Sequence, residues 1–196
     1  MRKIINFLFF YTIGIISCFS QSKKNLNKWE FHSINNVGLL EGQIGSALQL
    51  QTINGVKYKS WFGGLGIGLD YYRYRTVPLF IDLRKEFGKG QPHLFAYADA
   101  GMNSYWKRDK DPKQFSMNDK FNNGFYGELG VGYKIKISGN VHFSMSFGYS
   151  YKKLQEEGQY GLFTYPVYPQ IGTREYASDR IDYKLNRLIV KTGIEF

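Results

Sequence analysis

From about residue 29 to its end the chain alternates apolar and polar positions with period two. Residues 185–196 carry the pattern most plainly: Leu188, Val190, Ile194 and Phe196 share one face with Thr192, while Arg187, Lys191, Gly193 and Glu195 share the other. Period two predicts strands, because successive side chains of an extended chain point to opposite faces. The same alternation predicts strands over 42–53, 56–72, 76–87, 93–103, 125–137 and 141–151. Over 29–38 it is blurred by Ser33, Asn35 and Asn36. No comparable run has the 3.6-residue spacing of a helix, so the expected class is all-β with eight strands.

The two faces differ in kind. One is continuously apolar, as in Phe125, Leu129, Val131, Tyr133, Ile135 and Ile137. The other is small or charged, as in Glu128, Gly130, Gly132 and Lys134. In 56–72 the second face reads Gly64, Gly66, Gly68, Asp70. Glycine at every second position suits the crowded inside of a narrow barrel and not a strand lying on an apolar core. A glycine-rich phosphate loop is the rival for 63–68, and it lacks the Gly-Lys-Ser/Thr ending and the following helix. The apolar face is therefore expected outside. A soluble cup-shaped barrel would reverse the faces. Turns are expected at Asn54-Gly55, a dipeptide suited to two-residue hairpins, at 87–91 and at 138–140. Long polar loops are expected at 104–123 and 153–184. Short turns on one side and long loops on the other suit an eight-stranded antiparallel up-and-down transmembrane β-barrel, whose strands reach the roughly 9 to 11 residues a tilted span needs.

Composition narrows the setting. With 16 Tyr and 16 Phe the chain is aromatic, yet its mean hydropathy is −0.38, so apolar residues are spread thinly. Arg2 and Lys3, the apolar run 4–17 and the small residues around Ser20/Gln21 predict a signal peptide over 1–20, with a barrel domain over 21–196. Ile15-Ile16-Ser17-Cys18 also fits a lipoprotein signal with Cys18 acylated. Cleavage at Ser20/Gln21 removes the one cysteine and, with it, disulfide and thiolate chemistry. The formal charge of +10 falls to +8 when Arg2 and Lys3 leave. Neither long loop is strongly cationic, since 104–123 holds five basic and three acidic residues, so no nucleic-acid partner is expected.

The last strand, ending on an aromatic carboxy-terminus, resembles the insertion signal of bacterial outer-membrane barrels. On that resemblance Phe196, Ile194, Val190 and Leu188 are the assembly signal read by the barrel assembly machinery. The whole pattern is similar to the small eight-stranded outer-membrane barrels, such as the transmembrane domain of outer-membrane protein A. The block 66–80, GIGLDYYRYRTVPLF, resembles uncharacterised outer-membrane protein beta-barrel families. What the resemblance implies is a multi-pass protein of the cell outer membrane, in contact with outer-membrane lipid.

Candidate chemistry then falls in three places. Inward charges of both signs are expected to pair, because an unpaired buried charge is costly. Asp82, Arg84, Asp99, Glu128 and Lys191 lie near mid-strand and form the expected lumen salt-bridge network, with Asp70, Glu86, Lys134, Lys136, Arg187 and Glu195 around it. The expectation is a plug, and the alternative is a narrow gated pore. His142-Phe143-Ser144 is similar to the His-x-Ser pair of lipid A 3-O-deacylases, with no carboxylate placeable beside it. The expected role is non-enzymatic, with no cofactor, no metal and no catalytic residue; a lipid-modifying hydrolase is the alternative. Trp106, Tyr160, Phe163, Tyr165 and Tyr168 in the two long loops are the candidate contacts for an unknown extracellular ligand, as tyrosine-rich loops offer rigid amphipathic surface.

Overall fold

The computed structural model describes residues 29–88, 93–106, 120–161 and 176–196. Its strands are β1 (Glu30–Gly42), β2 (Gly45–Tyr58), β3 (Trp61–Asp70), β4 (Thr76–Phe87), β5 (His93–Tyr105), β6 (Lys120–Asn122), β7 (Gly124–Ser138), β8 (Val141–Gly161) and β9 (Tyr176–Glu195). Neighbours pair antiparallel, and β9 pairs with both β8 and β1, which closes the sheet. The short β6 continues the line of β7 and pairs with β8 above it, so the barrel has eight strands.

Walking once around the paired residues fixes the geometry. Glu30 leads through Lys57, Phe62, Arg84, Tyr97, Gly130, Gly148 and Ile189 back to β1 at Leu40, a shear of ten residues. For eight strands that shear tilts each strand by about 40° and leaves a lumen that side chains fill. Inward glycines are covered by aromatics on the paired strand: Gly66 by Phe80, Gly130 by Tyr97 and Gly132 by Phe95, each so close that a Cβ would overlap the ring. The outside is apolar. Leu65 is 66% exposed and Ile81 63%, and such residues ring the barrel, a surface that water does not tolerate and a bilayer does.

Three expectations need correction. Asn54-Gly55 is not a turn, because β2 runs through it, with Ser33 opposite Asn54 and His32 opposite Gly55. Gly55 has no positive φ. It is glycine because a Cβ there would overlap the Gly63 carbonyl and the Gly64 Cα of β3. The hairpin turns fall instead at Gln43-Ile44 and at Lys59-Ser60, where Lys59 takes φ 57°. Gly55→Val is therefore expected to destabilise the barrel by about 1–3 kcal/mol through overpacking, read as a lower urea midpoint of the folded band on unboiled gels.

The second correction is to 153–184. Pairing of β8 with β9 continues from Lys152–Leu185 up to Gly161–Tyr176, so most of the expected loop is a hairpin standing on the barrel. Outside the bilayer neither face need be apolar, and the alternation fades although the strand does not. Likewise 104–123 contains the end of β5 and all of β6. Third, Lys136 lies exposed beyond the lumen, next to a register shift between Lys136 and Ser138. The segment 1–20, with its signal and cleavage sites, lies outside the described residues.

Candidate functional site

The lumen holds three layers of buried charge. In the middle layer Lys191 Nζ donates to Glu128 Oε1 and, at 3.3 Å, to Gln51 Oε1. It sits 4.0 Å from the Tyr97 ring centroid and 3.9 Å from Asp99 Oδ2. Glu128 also accepts from Tyr97 Oη at 2.9 Å and from Tyr126 Oη at 2.7 Å. Gln49 and Gln51 in turn donate to Tyr126 Oη at 3.0 and 2.9 Å. Arg84 Nε donates to both oxygens of Asp82, at 2.9 and 3.0 Å, with the Phe62, Phe95 and Tyr97 rings around its guanidinium. The five residues of the expected network thus lie together. Asp82, Asp99 and Glu128 are consecutive cross-strand neighbours over β4, β5 and β7, against two cations. Asp99 is the loosest member: neither carboxylate oxygen has a hydrogen-bond partner among the described residues.

The outer layer closes the mouth. Asp70 takes Lys152 at 3.0 Å and is also bound by Arg187, which donates to Ser150 Oγ at 2.7 Å. Lys152 Nζ further donates to the Tyr72 carbonyl at 3.0 Å, Thr76 Oγ1 at 3.2 Å and the Tyr74 carbonyl at 3.4 Å. Those bonds hold the β3–β4 connection down, with Tyr72 and Tyr74 almost wholly buried. Tyr72 packs on Leu40, Leu185 and Ile189, and its hydroxyl accepts from Ile44 N at 2.9 Å. The inner layer pairs Glu86 with Lys57 at 2.6 Å and with Lys134. Lys134 also reaches Glu195 at 3.0 Å, and His32 Nδ1 lies 3.0 Å from that carboxylate. In these three layers Lys57, Arg84, Lys134, Lys152, Arg187 and Lys191 balance Asp70, Asp82, Glu86, Asp99, Glu128 and Glu195, and buried Glu156 above the mouth adds one more acid, so the basic excess of the chain lies outside this interior.

Lys57 and Lys152 escaped the sequence reading. The false turn at 54–55 reversed the inward set near Lys57. Ending the seventh strand at 151 left out Lys152, whose continuing alternation with Leu154 and Glu156 was the available signal.

Above the mouth is an aromatic cluster. Tyr74 meets Phe121, Tyr183 and Tyr105 at ring centroids 5.1, 5.7 and 6.0 Å apart, and Tyr105 stacks on Phe121 at 3.8 Å. Arg73 lies over the Tyr183 ring at 4.4 Å, and Tyr183 Oη donates to Glu156 at 2.7 Å. Burial, and then the Glu156 carboxylate, hold the Tyr183 phenol above its ordinary range. Trp106 is exposed with Arg75 over its ring at 4.1 Å. Tyr160 lies in β8 with its side chain outside the description, and Phe163, Tyr165 and Tyr168 lie outside the described residues. At the opposite end, His142 Nδ1 is 3.0 Å from the Asn140 carbonyl, and no hydrogen bond to Ser144 is found among the described residues. Leu188, Val190, Ile194 and Phe196 face outward on β9, and Phe196 exchanges both backbone bonds with Ser33 of β1.

Solved structures share this architecture. Neisserial surface protein A superposes with a TM-score of 0.51 at 10% identity, over 85% of this chain and 95% of that one. Outer membrane protein OprG from Pseudomonas aeruginosa gives 0.51 at 12%, over 85% and 95%. The fold is that of the small outer-membrane barrels. No family model matches the chain, so the block 66–80 carries no family assignment, and no curated protein sequence matches it either.

Proposed function

We propose that the protein is a non-enzymatic barrel of the bacterial outer membrane that presents a rigid aromatic outer end to a partner at the cell surface. The observation carrying this is the β8–β9 hairpin. Its pairing extends nine residue pairs beyond Lys152, about 30 Å of strand at ordinary rise, above a lumen occupied by paired charges and rings. A chain built only to seal a bilayer has no need of that length. Tyrosine rings braced against one another and against Arg73 hold the hairpin rigid at its base, and a preorganised element loses little entropy on binding.

Replacing 159–178 by Asn-Gly is expected to leave the folded, heat-modifiable barrel intact and to abolish adhesion or clumping of cells that display it. Adhesion retained after the truncation would refute the surface role. Purified protein in planar bilayers is expected to give no conductance steps. Steps that change with Arg84→Ala would favour the narrow pore instead.

A further inference from the structure

The lipid-facing belt is broken on one side. Ser33 and Asn35 of β1 stand opposite Asn54 and Thr52 of β2 as two successive outward pairs, and Thr192 of β9 lies opposite Val37 beside them. On the strand rise and tilt of this barrel the five side chains fall within about 8 Å of one another in depth. They lie mid-belt, with Phe31, Val56 and Trp61 toward the inner end and Val37, Leu39 and Leu50 toward the outer. At similar depth the far wall carries Leu129, Val131 and Phe147. Thr52 Oγ1 donates to Asn35 Oδ1 at 2.7 Å. The Asn35 amide hydrogens and the whole Asn54 amide meet no hydrogen-bond partner among the described residues. Hydrocarbon cannot supply one, and polar groups left unsatisfied there cost free energy.

We propose that this patch is the interface of a homodimer within the membrane, its two-fold axis along the membrane normal. Two copies inserted the same way keep every residue at its own depth, so a patch confined to one depth meets itself. The patch carries no charge, and each Asn, Ser and Thr both donates and accepts, so it is complementary to a second copy and not to a charged headgroup. Gly63 at its edge has open space where a Cβ would project, which lets a second wall approach closely. A shallow groove lined by Val37, Leu50, Ile67, Thr192 and Ile194 adjoins it and receives apolar side chains of the partner. The same residues explain two failures of the sequence pattern. Asn35 blurs the first strand and Asn54 imitates a turn because their polarity serves association and not the barrel wall, and breaks in local consistency gather at such sites.

The test uses the full chain with Cys18→Ser, assembled in membranes. Under mild oxidation Asn35→Cys is expected to give disulfide-linked homodimers, and Leu129→Cys on the opposite wall is not. In sedimentation with density-matched detergent, Asn35→Val combined with Asn54→Val is expected to weaken self-association at least tenfold while the gel shift of the folded barrel persists. Equal cross-linking at 35 and 129, no homodimer at 35, cross-linking of 35 to a different protein, or undiminished association of the double valine variant would each overturn the proposal.

Discussion

Lys191→Met is expected to lower the stability of the folded barrel by about 3–5 kcal/mol, the usual penalty for removing one partner from a buried ion pair. Lys191 is the only described cation bonded to Glu128 and lies 3.9 Å from Asp99. Without it, two carboxylates remain in a row with Asp82 and only Arg84 nearby, and Arg84 is already turned onto Asp82. Urea titration in lipid vesicles, followed by tryptophan emission and by the gel shift, reads the change directly. The charge explanation makes two further demands. Glu128→Gln in the Lys191→Met background recovers much of the loss, because Gln keeps an acceptor for one tyrosine hydroxyl, turns its amide N–H to the oxygen of the other, and removes a charge. Asp99→Asn alone costs little, since its oxygens make no hydrogen bond among the described residues and a like charge stands on either side. A Lys191→Met barrel that melts with the parent would mean that the lumen is wet enough to screen these pairs.

The wall of the barrel was readable in the sequence because lipid enforces its rule residue by residue. Over most of the belt the outward position is apolar and the inward one small, polar or aromatic, and strand count, faces and the candidate core of the lumen follow. Two kinds of information were not there. The first is where local chemistry and barrel chemistry disagree. Asn-Gly is a strong turn signal taken alone, and nothing in a single strand reveals that Gly55 is required by the approach of Gly63 and Gly64 on the next one. The second is the register around the closed sheet. Asp70 meets Arg187 from 117 residues away, and Lys191 meets Gln51 from 140. A slip of one residue in any pairing would exchange the inward and outward sets. The sequence supplied the list of inward charges. Only the shear told which cation faces which carboxylate, and it added Lys152 and Lys57, which the strand limits had hidden.

Lys152→Met is expected to open the outer mouth without unfolding the barrel. Asp70 keeps Arg187 as a partner, so the ion-pair loss is partly covered, but Lys152 is the described side chain that donates to both the Tyr72 and Tyr74 carbonyls. Between them Arg73 holds φ 59°, a left-handed conformation that a non-glycine residue keeps only when its surroundings impose it. Remove the ammonium and two carbonyls lose their donor, while the Arg73 backbone relaxes by turning the connection outward. Arg73 is already exposed, but its backbone and that of Arg75 are then free to enter a protease, so trypsin added to intact cells or sealed vesicles should cleave there at least tenfold faster than in the parent, a ratio equivalent to about 1.4 kcal/mol of opening free energy. Lys57→Met, which removes a cation at the inner end, serves as the control and should leave that cleavage unchanged. Unchanged cleavage in Lys152→Met would show that packing of Tyr72 on Leu40, Leu185 and Ile189 is enough to hold the mouth shut. Fast cleavage accompanied by new conductance steps would show that this connection is what separates the closed barrel from a pore.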